Sequence, residues 1–170
     1  LNNKYGAMMA DYMRYVLMYY EGGVYMDIKS RPKVPLDTFI KPKSDMILFI
    51  WEQKGKGAFR EYLNYFLISK KGNDLYKKVI EQIHKNIDNY DPEKINLSHS
   101  RKNVLELTGP RMFTTVLDTQ LKKYKNKMNI KIYDNEQKKV LIQYSFLGNY
   151  HNHHKKIYKN KHYSEIKEHL

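Results

Sequence analysis

A chain of 170 residues with 41% hydrophobic content is long enough to bury one core, and no window approaches the roughly 18 apolar residues of a membrane span. The absence of Cys excludes a disulfide framework and any thiolate metal site. Lys and Arg outnumber Asp and Glu by 31 to 18, and the net charge of +13 suits a polyanionic partner such as nucleic acid, an anionic membrane surface or a nucleotide diphosphate.

In chain order, Ala7–Tyr20 contains neither Gly nor Pro and is predicted to be helical, with Gly22 and Gly23 as its stop. Val24–Ile28 comes next as a short strand rich in β-branched and aromatic residues. Asp11 and Arg14 stand three apart and share one helix face, while strand alternation puts Tyr25, Asp27 and Lys29 on one side. A carboxylate at a strand mouth, facing a second carboxylate and a guanidinium, suits a polyol or a phosphate.

Ser30–Asp45 holds Pro32, Pro35 and Pro42 and reads as an irregular crossing. Met46–Trp51 reads as a buried strand, Glu52–Ala58 as a loop around Gly55 and Gly57, and Phe59–Ser69 as one buried element. Asp74 is expected to cap a helix Leu75–Ile87 that buries Leu75, Val79, Ile80 and Ile83.

Asp88–Asn103 is polar and looped. After Val104–Leu107 comes Thr108-Gly109-Pro110 and a helix through Leu121. Gly permits close backbone approach there, Pro costs no amide at a helix start, and the open amides favour an anion. A plain strand-to-helix turn stays open on the residues alone. Lys122–Lys127 is a basic helix end or linker, and Asn129–Tyr133 with Lys139–Tyr144 reads as two strands about a turn at Asp134-Asn135-Glu136. The tail carries His151, His153, His154 and His162, of which the first two do not face one another on a helix.

The ordered set A-D-x-x-R-Y, then Y-E-G-G-V-Y-M-D-I-K, resembles the core of the glycosyltransferases with a DXD sugar-binding region, family 32 of the carbohydrate enzymes, with the clostridial glucosylating toxins as relatives. Ala10, Asp11, Arg14, Tyr15, Gly22, Gly23, Tyr25 and Asp27 match that pattern, and Lys29 stands where the second Asp belongs. The resemblance implies that Asp11 and Arg14 hold donor-sugar hydroxyls, and that the strand-end motif holds the ribose, a divalent metal and the diphosphate. It extends to Asn64, in a segment leading into the second helix, and to the T-G-P turn with Gly109 and Pro110, which approaches the donor sugar and acceptor. It also implies a C-terminal His closing on the metal or diphosphate, for which His154 and His162 stand.

The same resemblance implies an α/β fold of the nucleotide-sugar transferase (GT-A) type, a mixed sheet flanked by helices. Residues 1–170 are expected to form a single glycosyltransferase-like catalytic domain, read as an N-terminally incomplete fragment that lacks the βαβ half preceding this helix in the family. The expected activity is hexosyl transfer from a nucleotide-sugar to a hydroxyl of a glycan, protein or lipid, with retention. Asp27 and Lys29 are the catalytic groups; Asp11, Arg14, Tyr25, Asn64, Gly109 and Pro110 bind the donor sugar; Asp27, His154 and His162 are the metal ligands. The cofactor is Mn or Mg, its binding weakened by Lys29.

No dedicated nucleic-acid partner is expected, because the charge is dispersed and fits no RNA- or DNA-binding spacing. The lack of Cys and of a signal-like apolar start favours a cytoplasmic over a secreted setting. Two alternatives stand beside the enzyme: an inactive relative that binds a sugar nucleotide or glycan, and a basic nucleic-acid-binding module.

Overall fold

The computed structural model describes residues 6–91 and 100–144. Helix α1 spans Gly6–Tyr20, followed by β1 (Gly23–Met26) and β2 (Ser30–Pro32). A 3-10 turn at Leu36–Thr38 leads to β3 (Met46–Gln53), β4 (Phe59–Tyr62) and β5 (Phe66–Ser69). Next are α2 (Asp74–Asp88), α3 (Ser100–Leu107), α4 (Pro110–Tyr124), β6 (Ile130–Tyr133), α5 (Asn135–Leu141) and β7 (Ile142–Tyr144).

The main sheet is mixed and centred on β3. Antiparallel β5 lies beside the start of β3 and β4 beside its end, β1 pairs antiparallel with β5, and β6 runs parallel to β3. Strand alternation splits β3 between two cores. Met46 and Leu48 pack with Tyr15, Tyr76, Val79 and Phe113 from the helices, whereas Ile47 and Phe49 pack with Phe39, Phe66 and Tyr133 on the opposite face. A strand buried on both faces reads as a continuous apolar run, which is why Met46–Phe49 shows no alternation in the sequence.

Phe59–Ser69 is not one element but a return strand broken in the middle. Ile50 pairs with Tyr62, yet Ile47 pairs with Ile68, so the register slips by three residues across Leu63–Tyr65. Inserted residues of this kind bend a strand and re-aim its side chains. Here they aim Asn64 at α1.

Other expectations are corrected by tertiary contacts. The first strand stops at Met26, and Asp27–Ser30 forms a tight turn closed by the Ser30 amide donating to the Asp27 carbonyl at 2.7 Å. The strand alternation expected for Asp27 and Lys29 therefore does not hold. The cap of α2 is Asn73, whose side chain accepts from the Leu75 amide at 3.0 Å, with Asp74 inside the first turn.

Residues 100–107 are helical, so T-G-P joins two helices and is not a strand-to-helix turn. The expected hairpin about Asp134 does not form either. Asp134 instead caps α5, accepting from the Glu136 and Gln137 amides while Gln137 accepts from the Asp134 amide, and β7 crosses to pair with β2.

Gly22 ends α1 at φ 67°, and a Cβ there would enter the Lys71 backbone and lie 2.8 Å from the Lys70 carbonyl carbon. Glycine is required for the backbone conformation and for this close approach. The tight turn lays β1 directly back along α1.

Candidate donor-sugar site

The site lies where α1, the end of β1, the Leu63–Tyr65 bulge and the Thr108 turn converge. Arg14 is its centre. Its Nη2 lies 3.2 Å from Asp11 Oδ1 and its Nη1 lies 3.3 Å from Asp27 Oδ1. Nη1 also donates to the Asn64 carbonyl at 2.8 Å, Nε donates to the Ala10 carbonyl at 3.2 Å, and the guanidinium lies 5.1 Å from the Tyr25 ring centroid. Held on so many sides, the guanidinium has one orientation before any ligand arrives.

Asp11 is 6% exposed and Arg14 7%, while the Asp27 side chain is 22% exposed and forms the open edge of the group. The Asn64 amide donates to Asp11 Oδ1 at 3.0 Å and to the Tyr15 hydroxyl at 3.2 Å, and the Thr108 hydroxyl donates to Asp11 Oδ2 at 3.2 Å. Thr108 is 97 residues from Asp11 and was not among the residues expected at the site, although it opens the T-G-P turn.

Burial is the dominant influence on the Asp11 carboxyl and pushes it up to about 6; Arg14 and the Thr108 hydroxyl pull the other way, and Asp27 adds to the rise. At neutral pH Asp11 is thus ionised but close to its titration. The Tyr25 hydroxyl donates to Asp27 Oδ1 at 2.9 Å. Burial pushes it up to about 12 against the pull of Arg14, so it remains a proton donor throughout the neutral range.

Gly109 and Pro110 start α4, with Gly109 as the cap and Pro at the first turn. A Cβ at Gly109 would lie 2.8 Å from the Leu105 Cα, so the glycine is needed for α3 and α4 to meet. This close approach keeps Thr108 against Asp11.

Lys29 follows Asp27 by two residues, within the tight turn that ends β1. Its Nζ stands 4.8 Å from the Tyr144 ring centroid, and Tyr144 packs against Tyr65 at 4.3 Å between ring centroids. The Tyr65 carbonyl accepts the Asp27 amide at 2.9 Å. Tyr65 and Tyr144 were missed from the sequence because the β2–β7 pairing that brings the latter in spans most of the chain.

Asp11, Arg14, Tyr25, Asp27 and Asn64 are thus brought together. His154 and His162 lie outside the described residues. Among the described residues there is no group of three or more His, Asp or Glu able to hold a metal ion. Asp27 offers one carboxylate, with Oδ1 already engaged by Tyr25 and Arg14, whereas Mn or Mg needs several oxygen ligands. The described donor set does not by itself fit a divalent metal.

The sequence of this same unit, residues 2–47, matches the family model described as the glycosyltransferase sugar-binding region containing DXD motif. The likeness is to glycosyltransferases. The solved structure described as PaToxG Glycosyltransferase is similar over 71% of this chain, with 24% identity and a TM-score of 0.51. The match takes in 38% of the PaToxG chain, so this chain spans well under half of that protein. No curated protein matches the chain. The fold is a mixed α/β, GT-A-like fold, and the Asp11–Arg14–Asp27 group lies within residues 2–47, the segment that matches that family model.

Proposed function

We propose that the chain transfers a hexosyl group from a nucleotide-sugar donor to a hydroxyl acceptor, with retention of anomeric configuration. The observation that carries this reading is the convergence of Asp11, Arg14 and Asp27 within the segment that matches a glycosyltransferase sugar-binding region. A sugar presents adjacent hydroxyls that donate and accept. A carboxylate and a guanidinium fixed 3.2 Å apart bind such a pair with defined orientation, and that orientation is what the transfer step needs.

Asp11 is deep and fixed in place by Arg14, Asn64 and Thr108, so it serves as an oriented acceptor. Asp27 stands at the open edge, where it faces the ribose and diphosphate of the donor.

Both carboxylates at the site are tied to Arg14, and Asp11 also accepts from Asn64 and Thr108. Neither is arranged as a nucleophile for double displacement. On this reading, the acceptor oxygen bonds to C1 on the face from which the diphosphate leaves. The C1–O bond to the phosphate breaks as the acceptor proton passes to the departing phosphate oxygen.

One observation favours a second reading, an inactive sugar-nucleotide binder: the position of the second Asp is filled by Lys29, which lies against Tyr144. The discriminating experiment incubates the chain with a panel of nucleotide-sugars and measures both binding and release of free sugar. Transfer or slow hydrolysis that is lost in Arg14→Lys and Asp11→Asn supports the enzyme. Binding without turnover, lost in the same variants, supports the binder. Indifference of both to these substitutions overturns the site, and steeply salt-dependent oligonucleotide binding in their place would support a nucleic-acid module.

A further inference from the structure

We propose that the end of the molecule opposite the Asp11–Arg14–Asp27 group is a docking surface for an anionic lipid membrane, formed by lysines of three segments that meet at Asp45. This surface stands apart from the proposed reaction and does not depend on it.

Dispersed along the sequence, the positive charge gathers in the fold. Residues 41–45, 70–74 and 122–129 hold eight lysines and two aspartates, so 18 residues carry six of the thirteen net positive charges. Asp45 ties the three segments together. The Lys70 amide donates to its carbonyl at 2.9 Å, and the Lys70 ammonium lies 2.8 Å from its Oδ1. The Asn129 amide donates to its Oδ2 at 2.7 Å, and the Asp45 amide donates to the Asn129 carbonyl at 2.9 Å. The end of α1 joins them, because the Gly72 amide donates to the Tyr19 carbonyl at 2.8 Å.

Topology sets this end away from the donor site. β1 starts here, with Gly23 beside Ser69, and finishes at Met26, next to Asp27. α4 starts next to Thr108, runs about 22 Å at about 1.5 Å per residue, and finishes at Tyr124 among the lysines. A bilayer against the lysine end therefore leaves the donor site uncovered.

All eight lysines are exposed. Among the described residues, ion pairs engage Lys70, with Asp45, and Lys71, whose ammonium is 3.9 Å from Glu21. The dipole of α4 accounts for Lys122 and Lys123 in its last turn, but not for Lys41, Lys43 or Lys127, which lie outside the helices. Like charges gathered in this way repel one another in the folded chain, and a polyanionic surface relieves that repulsion.

The chemistry favours lipid headgroups over nucleic acid. None of the eight is Arg, the side chain that grips a phosphate or a base edge with two parallel bonds, whereas lysine point charges suit the diffuse field of an anionic bilayer. Tyr20 and Leu17, in the last turn of α1, are 59% and 46% exposed. An exposed ring and an apolar side chain beside lysines suit the lipid interface, where amphipathic rings sit at headgroup level.

The test is sedimentation of the chain with vesicles of phosphatidylcholine alone or with about one third phosphatidylserine. The phosphatidylserine vesicles are expected to bind at least about tenfold more tightly, and the difference should vanish at about 0.5 M salt. Lys125→Gln combined with Lys127→Gln should weaken that binding at least about tenfold, since each lysine at the surface contributes about fivefold. Tyr20→Ser should weaken it about threefold. Lys54→Gln combined with Lys56→Gln is the control: it removes the same charge from the exposed loop at the far end of β3 and should change binding by less than about twofold.

Equal binding to the two vesicles, or equal losses in the two lysine pairs, overturns the proposal. So does binding to a generic oligonucleotide that is tighter than to vesicles and is weakened by the Lys125 and Lys127 substitutions, an outcome that assigns the surface to nucleic acid. Should that double variant fail to fold, Lys43→Gln combined with Lys122→Gln is compared with the same control. Asp11→Asn and Arg14→Lys should leave vesicle binding unchanged, so failure of the proposed reaction and failure of this surface are read separately.

Discussion

The buried carboxylate of Asp11 makes a sharp thermodynamic prediction. In the folded chain its carboxyl titrates at about 6, against an ordinary value of 3.8, because burial outweighs the attraction of Arg14 and the hydrogen bonds from Thr108 and Asn64. Between those two values the folded chain holds a proton that the unfolded chain has released. The stabilising contribution of protonated Asp11 is therefore complete below about pH 3.8 and is lost as pH rises through about 6. The difference spans about 3 kcal/mol, at 1.36 kcal/mol for each tenfold change in proton affinity. Asp11→Asn keeps the shape, can still accept from Asn64, and cannot titrate.

The assay is urea denaturation of both chains from pH 3.5 to 8, with stability read from the midpoint and slope at each pH. Other titrating groups, such as the surface Asp45–Lys70 pair at 2.8 Å, contribute equally to both curves and cancel in the difference. The stability of Asp11→Asn relative to the unaltered chain should rise by about 3 kcal/mol from acid to neutral pH, most of it between pH 4 and 6. A difference curve flat to within about 0.5 kcal/mol would refute the claim that burial raises the Asp11 carboxyl in the folded chain. The same substitution should abolish donor binding, so that stability is gained where function is lost.

Thr108→Val removes the hydroxyl that donates to Asp11 Oδ2 and leaves a buried charge short of one partner. It should cost about 1.5–3 kcal/mol at pH 7 and less at pH 4, where Asp11 is protonated, as measured by the same denaturation series. Gly22→Ala forces a side chain into a backbone with φ 67° and against Lys70 and Lys71, and should lower stability by about 2–4 kcal/mol, whereas Gly6→Ala, with nothing within 4 Å of the added Cβ, should be close to neutral. Comparable melting temperatures for the two glycine variants would show that the approach of β1 to α1 does not depend on Gly22.

Whatever depends on near neighbours along the chain was legible in the residues alone. Asp11 and Arg14 share a face because a helix repeats every 3.6 residues, and Gly22-Gly23 ends that helix because only glycine enters left-handed backbone conformations without strain. The capping box of Asp134 and Gln137 is equally local, four residues in a row, but Asp134-Asn135-Glu136 also fits a turn, and that competing signal points to a hairpin the fold does not make.

What completes the site comes from long-range contacts. Asn64 reaches Asp11 because three extra residues interrupt the pairing of β3 with its return strand, and a register slip leaves no mark in a run as apolar as Phe59–Ser69. Thr108 arrives from the far end of α3 because Gly109 lets two helices meet, and Tyr144 arrives because β7 abandons its sequence neighbour β6 for β2. Each of these contacts joins residues tens of positions apart, and its free energy comes from packing two cores on the faces of β3, a quantity that belongs to the assembled sheet and to no single stretch of chain.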